Sequence, residues 1–308
     1  MRFLTRSIAQ ITIASILILL IYGFAMSDDK PDTRDPKYLE SYTGKEAERV
    51  GSDACIVCHD SKIPKTPRNH IQLLDGIKTS SSYGYGCEAC HGPGGNHNGD
   101  PSGILMPLKM QSKDVIKLCS KCHSSLRIFD LKGWFVSGHY FNEMDCLSCH
   151  SGHSENPKFL LKSDKVELCL ACHQRKRAEF KMRSHHPVEE NQLSCMSCHN
   201  PHSGRFEKQL NDELDKLCFE CHGSKEGPFV YDHDVTISAG GEGCLTCHFV
   251  HGSNTDGLLR YPNRLCLRCH YEMTSENHFS GTCWQSGCHS DIHGSNTNPL
   301  FFKNDGED

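Results

Sequence analysis

Asp145-Cys146-Leu147-Ser148-Cys149-His150-Ser151-Gly152-His153 is the stretch whose reading decides how the chain folds. Two cysteines three apart, a histidine directly after the second and another histidine three residues on form the attachment signature of a c-type haem, with a second axial ligand close by. The spacing has a chemical reason. Two thiols a short turn apart can bond to the two vinyl groups on one edge of a porphyrin, and the next residue then lies under the ring, where its imidazole reaches the iron.

Complete copies of this motif sit at Cys55/Cys58/His59, Cys87/Cys90/His91, Cys119/Cys122/His123, Cys146/Cys149/His150 and Cys169/Cys172/His173. Four more follow at Cys195/Cys198/His199, Cys218/Cys221/His222, Cys244/Cys247/His248 and Cys266/Cys269/His270. A tenth is stretched, with four residues between Cys283 and Cys288 before His289. Zinc is the rival ligand for paired cysteines. It does not require a histidine after every second cysteine, and here one follows each time. The motifs consume all 20 cysteines, so none remains for a disulfide. The expected cofactor is therefore ten covalently bound haem c groups with their iron.

Composition agrees. The hydrophobic fraction of 37% lies below the roughly 45–50% of ordinary globular domains, and two Trp with 14 Phe cannot build a conventional core. Buried macrocycles would supply the apolar surface instead. The expected fold class is a multihaem cytochrome c: an elongated, mostly irregular chain with short α-helices wrapped around a linear haem array, and little or no β. A formal charge of −5, made more negative by haem propionates, argues against a nucleic-acid partner.

Residues 1–26 carry Arg2 and Arg6 before an apolar run from Ile11 to Met26, with Gly23 and Ala25 as small residues near its end. This reads as an export signal, or else an uncleaved N-terminal anchor; either places the remainder outside the cytoplasm. Residues 27–50, with Pro31 and Pro36, read as a linker, and 299–308 as an acidic tail. Between them, 51–298 reads as a decahaem domain of five two-haem units: 51–97, 113–153, 163–202, 212–251 and 262–293.

The unit boundaries come from a period. Cys146, Cys195 and Cys244 are 49 apart, and Cys119, Cys169, Cys218 and Cys266 are separated by 50, 49 and 48, as in a quasi-linear array. Short helical patterns precede the first motif of a pair, as in Lys113–Leu118, Lys165–Leu168 and Asp212–Leu217, with Ser112 and Ser163 as expected N-caps for the first two. The second motifs are approached through turn-rich sequence. The first unit, Cys55 to His97, is the most divergent and carries a glycine-rich insertion, Gly92–Gly99.

Of 21 histidines, ten belong to motifs. Each unit also has one between its motifs (His70, His139, His185 or His186, His233, His278) and one just after its second motif (His97, His153, His202, His251, His293). Ten such positions match ten haems, so these are the expected distal ligands, with His186 preferred to His185. Methionine, the other common sixth ligand, keeps no register. Six-coordinate bis-histidine iron has no vacancy for substrate and is expected at low potential, so the chain is read as an electron carrier, not an enzyme.

Longer phrases narrow the class: Arg183-Ser184-His185-His186-Pro187-Val188, Cys195–His202 with its Asn200-Pro201-His202 ending, Gly227-Pro228-Phe229-Val230-Tyr231-Asp232-His233, His251-Gly252-Ser253 and Ile292-His293-Gly294-Ser295-Asn296. Through these the chain resembles the decahaem periplasmic cytochromes of the metal-reducing and dimethyl-sulfoxide-respiring (Mtr/Dms) type, including the cytochrome subunit of outer-membrane porin–cytochrome conduits. The resemblance covers most of Gly51 to Asn298. It implies closely stacked haems inserted partly or wholly into an outer-membrane β-barrel, with periplasmic and outer-surface cytochromes as electron donor or acceptor, and a periplasmic or outer-membrane-associated location. The stretched tenth motif departs from that family, which puts the terminal site's geometry in question.

A row of ten macrocycles should exceed the roughly 40–45 Å of a full bilayer, and a polar chain can cross only inside a barrel with a polar lumen. The competing functions are a soluble periplasmic carrier feeding a terminal reductase, a filament-forming extracellular cytochrome, and a multihaem reductase. The last needs an open iron, against which the balanced histidine count argues.

Overall fold

The computed structural model describes residues 47–62, 70, 86–100, 103–123, 131–156, 159–233, 242–262, 264–273, 283 and 288–302. The N-terminal segment 1–26, the linker up to residue 46, His278 and the tail from residue 303 fall outside the described residues. The chain forms two compact units, Met1–Asp60 with Leu74–Lys109, and Ser61–Leu73 with Met110–Asp308.

The first unit contains α1 (Ser52–His59) and α2 (Glu88–His91), each ending on a motif histidine. Its organiser is Glu88, 2% exposed, between the cysteines of the second motif. Glu88 Oε1 accepts from the backbone N–H of Val50 at 2.9 Å and of Gly94 at 2.8 Å, and Oε2 from that of Gly51 at 3.1 Å. A buried carboxylate is tolerable only when so satisfied. The glycine-rich insertion serves this packing, because a Cβ on Gly95 would come within 2.8 Å of the Glu48 carbonyl.

The second unit contains α3 (Ser112–His123), α4 (Leu131–Phe135), α5 (Gly138–Phe141), α6 (Cys146–Cys149), α7 (Lys165–Leu170), α8 (Gln174–Phe180), β1 (Ser184–His185), α9 (Cys195–Cys198), α10 (Leu214–Phe219), β2 (Tyr231–Asp232), β3 (Gly252–Ser253) and β4 (Gly294–Ser295). Helix α3 buries Asp114, Val115, Ile116 and Leu118. Three helices or turns meet their first cysteine through a buried leucine, Leu118, Leu217 or Leu265. Elements this short do not persist alone in water.

Two expected caps are corrected. Ser112 lies inside α3 and its hydroxyl donates to the Glu143 carbonyl. Asp164, not Ser163, caps α7, accepting from Val166 N–H at 3.0 Å; a carboxylate suits a helix N-terminus at least as well as a hydroxyl. The second motifs, expected only to follow turns, form single helical turns of their own: Asp145 with Ser148 and Ser194 with Ser197 make reciprocal capping boxes around α6 and α9.

The strands are two-residue clamps. β1 pairs antiparallel with β3 (Ser184 with Ser253, His185 with Gly252) and β2 with β4 (Tyr231 with Ser295, Asp232 with Gly294). Gly252 is required by space, since a Cβ there would run into the Glu179 carbonyl oxygen. Three copies of one loop recur as well, closed by bridges His150 to Leu161, His199 to Leu210 and His248 to Leu259. Each turns through a left-handed residue at Leu160, Gln209 or Leu258.

Candidate haem sites

The histidines outside the motifs are carried to the motif histidines by the elements just described. His59 faces His97 with ring centres 6.0 Å apart, and His70 faces His123 at 6.2 Å. His139 faces His173 and His186 faces His222, both at 6.2 Å. His150 faces His202 at 5.8 Å, His199 faces His251 at 6.2 Å, His233 faces His270 at 6.1 Å and His248 faces His293 at 6.1 Å. Most of these ring planes are nearly aligned, but His139/His173 and His186/His222 are turned by 55° and 60°.

The pairing follows a rule that the repeat alone does not reveal. A histidine between two motifs faces the first motif of the following unit, and a histidine after a second motif faces the second motif of the preceding unit. The exception is His97, which turns back to its own unit's first motif. His185 does not face a motif histidine. Its Nδ1 donates to the Met182 carbonyl and its Nε2 lies 3.0 Å from Glu190 Oε1. His91 falls in the first compact unit and His153 in the second, while the expected partner role of His278 lies outside the described residues.

Tautomers follow from backbone carbonyls, which can only accept. Nδ1 of His91 meets Leu105 O at 2.8 Å, and those of His150, His199 and His248 meet Phe159 O, Lys208 O and Gly257 O at 2.7, 3.0 and 2.7 Å. His289 meets Leu300 O at 2.6 Å. These second-motif histidines are half-buried, whereas the first-motif histidines His59, His123, His173, His222 and His270 are exposed. Outside the motifs, Nδ1 of His97, His139, His153 and His186 bonds to Asp100 O, Pro201 O, Lys62 O and Val250 O. A proton held on Nδ1 leaves Nε2 as the ligating atom.

Electrostatics favour neutral rings. Burial, reinforced by neighbouring histidines, pushes His202 down to about 4; burial with Lys176 does the same for His251, against the opposing carboxylate of Glu179; burial with Lys225 does so for His293. Burial also lowers His70 and His248, and the side chains crowded around the ring lower His123 and His173 although the residues keep exposed surface. A neutral imidazole is the form that binds metal.

The thiols show how sites adjoin. The leading cysteines of the two motifs in a unit interact: Cys55 with Cys87, Cys119 with Cys146, Cys169 with Cys195, Cys218 with Cys244, and Cys266 with Cys283. Trailing cysteines interact with the next unit, Cys149 with Cys172, Cys198 with Cys221 and Cys247 with Cys269. None of the described cysteines is joined in a disulfide.

Cys58 and Cys90, interchangeable by sequence with the trailing cysteines of the later motifs, lie in the first compact unit with Cys55 and Cys87. Cys58 is exposed on α1, the helix it shares with the half-buried Cys55. Cys90 is half-buried in α2, its backbone N–H donating to the Cys87 carbonyl at 3.3 Å. Beside it, the Glu88 carboxylate draws the Val50-Gly51 and Gly94 backbone around α2. At the other end of the chain, Cys288 of the stretched motif is exposed like Cys283, whereas burial raises the half-buried Cys122 thiol in α3.

These dimensions fit a haem iron. Imidazole nitrogen sits about 2.0–2.1 Å from a bound metal, so two such bonds end to end span about 4 Å, and the distance from each nitrogen to its ring centre supplies the rest of the 5.8–6.2 Å observed. Rings in mutual contact would stand about 3.5–4 Å apart. Among the described residues, no group of three or more His, Cys, Asp and Glu side chains is gathered to hold a metal unaided; two facing imidazoles are what a porphyrin, with four nitrogens of its own, leaves to the protein. Nor, among the described residues, is any helix long and apolar enough to cross a membrane.

Comparison with known proteins agrees. The doubled CXXCH motif family matches residues 139–178, 185–227 and 237–275. The multihaem cytochrome MtrA of Shewanella baltica is 31% identical over 164 residues, covering 51% of this chain and 46% of that protein. The polyhaem cytochrome OmcC of Geobacter sulfurreducens is 33% identical over 113 residues, covering 33% of this chain and 14% of that one. The chain thus matches less than half the length of these relatives. A solved undecahaem cytochrome from the S-layer of Carboxydothermus ferrireducens is 26% identical, with 48% of this chain and 24% of that chain covered and a TM-score of 0.15. With its motifs, short helices and facing histidines, the chain has the make-up of a multihaem c-type cytochrome that holds haem c covalently, and it is similar to the Mtr type.

Proposed function

We propose that the chain is a ten-haem electron wire that carries electrons across an outer membrane inside a β-barrel partner, between periplasmic donors and acceptors outside, for extracellular electron exchange. It is an electron carrier, not an enzyme. All ten cysteine pairs hold haem, Cys55 with Cys58 and Cys87 with Cys90 included. Each iron is held between a motif histidine and a second histidine, the second set being His70, His97, His139, His153, His186, His202, His233, His251, His278 and His293. The haem supplies one-electron chemistry; the chain fixes the axial ligands, sets their tautomers and keeps successive sites adjoining.

The observation that carries this reading is the set of eight facing imidazole pairs at one-iron spacing, joined through adjacent thiols from motif to motif in the later units. An iron with two imidazoles and four porphyrin nitrogens has no open position, so it can pass an electron on but not bind a substrate. The polar chain cannot face lipid, and a barrel with a polar lumen supplies the crossing.

The test is purification of the exported holoprotein from its native host. The expected result is ten haems per chain, low-spin spectra without carbon monoxide binding, and co-purification with an outer-membrane β-barrel protein. Fewer haems, or carbon monoxide bound at several irons, overturns the wire. Full low-spin loading without any barrel partner overturns the conduit and leaves a diffusible carrier.

A further inference from the structure

In the inner repeat, most of the axial rings described above rest Nδ1 on a backbone carbonyl. His251 rests instead on a carboxylate: its Nδ1 lies 3.2 Å from Oε2 of Glu179. Glu179 is near the end of α8 with its side chain 17% exposed, held by Lys176 Nζ at 2.7 Å and Arg175 Nε at 3.3 Å. The arrangement is built, not incidental. Gly252, next to His251, packs against the Glu179 backbone carbonyl with no room for a Cβ, and the Phe180 ring meets the His251 ring edge-on at 5.5 Å.

The preceding unit offers an internal comparison. There Trp134 meets His202, with ring centres 6.3 Å apart, in the position Phe180 takes against His251. The residue before Trp134 is Gly133, which has no side chain to offer. The carboxylate therefore belongs to one link of the array and not to the repeat.

A carboxylate accepting from the far nitrogen of a ligating imidazole raises the ligand's basicity. A more basic imidazole stabilises the oxidised iron over the reduced iron, and hydrogen bonding around the ligands is one of the protein's levers on haem potential. We infer that Glu179 is a positioning residue that, through His251, sets the site between His199 and His251 at a lower reduction potential than its counterpart between His150 and His202. An electron moving along the array climbs at this link, so it governs how fast charge traverses the middle of the chain. Lys176 and Arg175 temper the effect by drawing charge from the carboxylate.

The inference rests on the bis-histidine reading, and the experiment separates the two. In the holoprotein, Glu179→Gln keeps the size and helix propensity of the side chain and leaves the backbone carbonyl against Gly252, but removes the charge. The expected result, in a redox titration followed by haem absorbance, is that a one-haem share of the amplitude moves to higher potential. Its reduced-to-oxidised ratio at fixed potential should rise about tenfold, equivalent to about 59 mV for one electron. Lys176→Met should move the same share the other way. A Glu179→Gln protein with full haem content and a titration superimposable on wild type overturns the inference while leaving ligation intact. A His251→Ala holoprotein without a new high-spin haem overturns the ligation itself, and the inference with it.

Discussion

In the first unit His97 turns back on His59, the motif histidine of its own unit, whereas from Gly138 to Ser295 each described pair joins neighbouring units: His139 with His173, His186 with His222, His199 with His251. The first unit keeps His97 for itself while His70 goes to His123, and its two motifs are held together around the buried carboxylate of Glu88. The inner units lend each other histidines and are stapled by strands β1 with β3 and β2 with β4. Termini of a repeat array differ from its interior because they have only one neighbour. One histidine kept at home at His97 fits that asymmetry, and the inner units are coupled through the histidines they lend each other.

The largest expected effect breaks the packing of the first unit. Glu88→Ala removes three hydrogen bonds to a charged acceptor, from the N–H groups of Val50, Gly51 and Gly94, each worth about 1.5–3 kcal/mol before water compensates the exposed Val50 and Gly51. A loss of about 3–5 kcal/mol in local stability is expected from those donors together, read as amide exchange accelerating at those three residues. Protection of Asn200 and Phe249, whose N–H groups bond within the inner loops, should not change. Equal loss in both regions would mean that the first unit and the interleaved units are not independent.

A smaller effect sharpens the same contrast through glycine. Gly252→Ala drives a Cβ into the Glu179 carbonyl, an overpacking cost of about 1–3 kcal/mol, and should displace His251, visible as a change in the low-spin spectrum. Gly51→Ala in the first unit meets nothing within 4 Å but has φ +81, so its cost is backbone strain of about 1–2 kcal/mol with no spectral change. Thermal melts followed at haem absorbance and by backbone dichroism distinguish the two.

What the sequence could and could not tell follows the same division. Motifs, period and the surplus of histidines are local or periodic features, so a multihaem cytochrome with short helices and little sheet was legible from them. The direction in which histidines are lent was not: a period near 49 looks the same whether His186 serves His173 or His222. Nor were the organising carboxylates. Glu88 and Glu220 both stand between motif cysteines, yet Glu88 is buried and Glu220 exposed. What distinguishes them is the backbone brought to Glu88: Val50-Gly51 from nearly forty residues away and Gly94 from just beyond the motif. Glu179 reads as an ordinary charge on a solvated helix beside Arg175, Lys176 and Arg177, and its contact with His251 is made only because Gly252 admits the helix end.

The smallest effect concerns the adjacent histidines of the inner repeat, His185 and His186. His185 is hydrogen-bonded to Glu190, which raises its pKa above the usual histidine value, with the Met182 carbonyl adding to the rise. His186 sends Nδ1 to Val250 O and faces His222. In the holoprotein His185 should therefore titrate above the ordinary histidine range, read by side-chain NMR across the neutral region. The sign is fixed by linkage: a group whose folded pKa is raised contributes stability that is fully present below its unfolded value near 6.5 and lost as pH rises through the folded value. His185→Ala should thus leave the haem spectrum unchanged and remove only that slight pH dependence. His186→Ala should open one iron in the interleaved region, seen as a high-spin, carbon-monoxide-binding haem. The reverse outcome would reassign the ligand to His185 and break the lending rule at its central link, since His185, fixed by both ring nitrogens to Met182 and Glu190, could reach His222 only after strand β1 let go of β3.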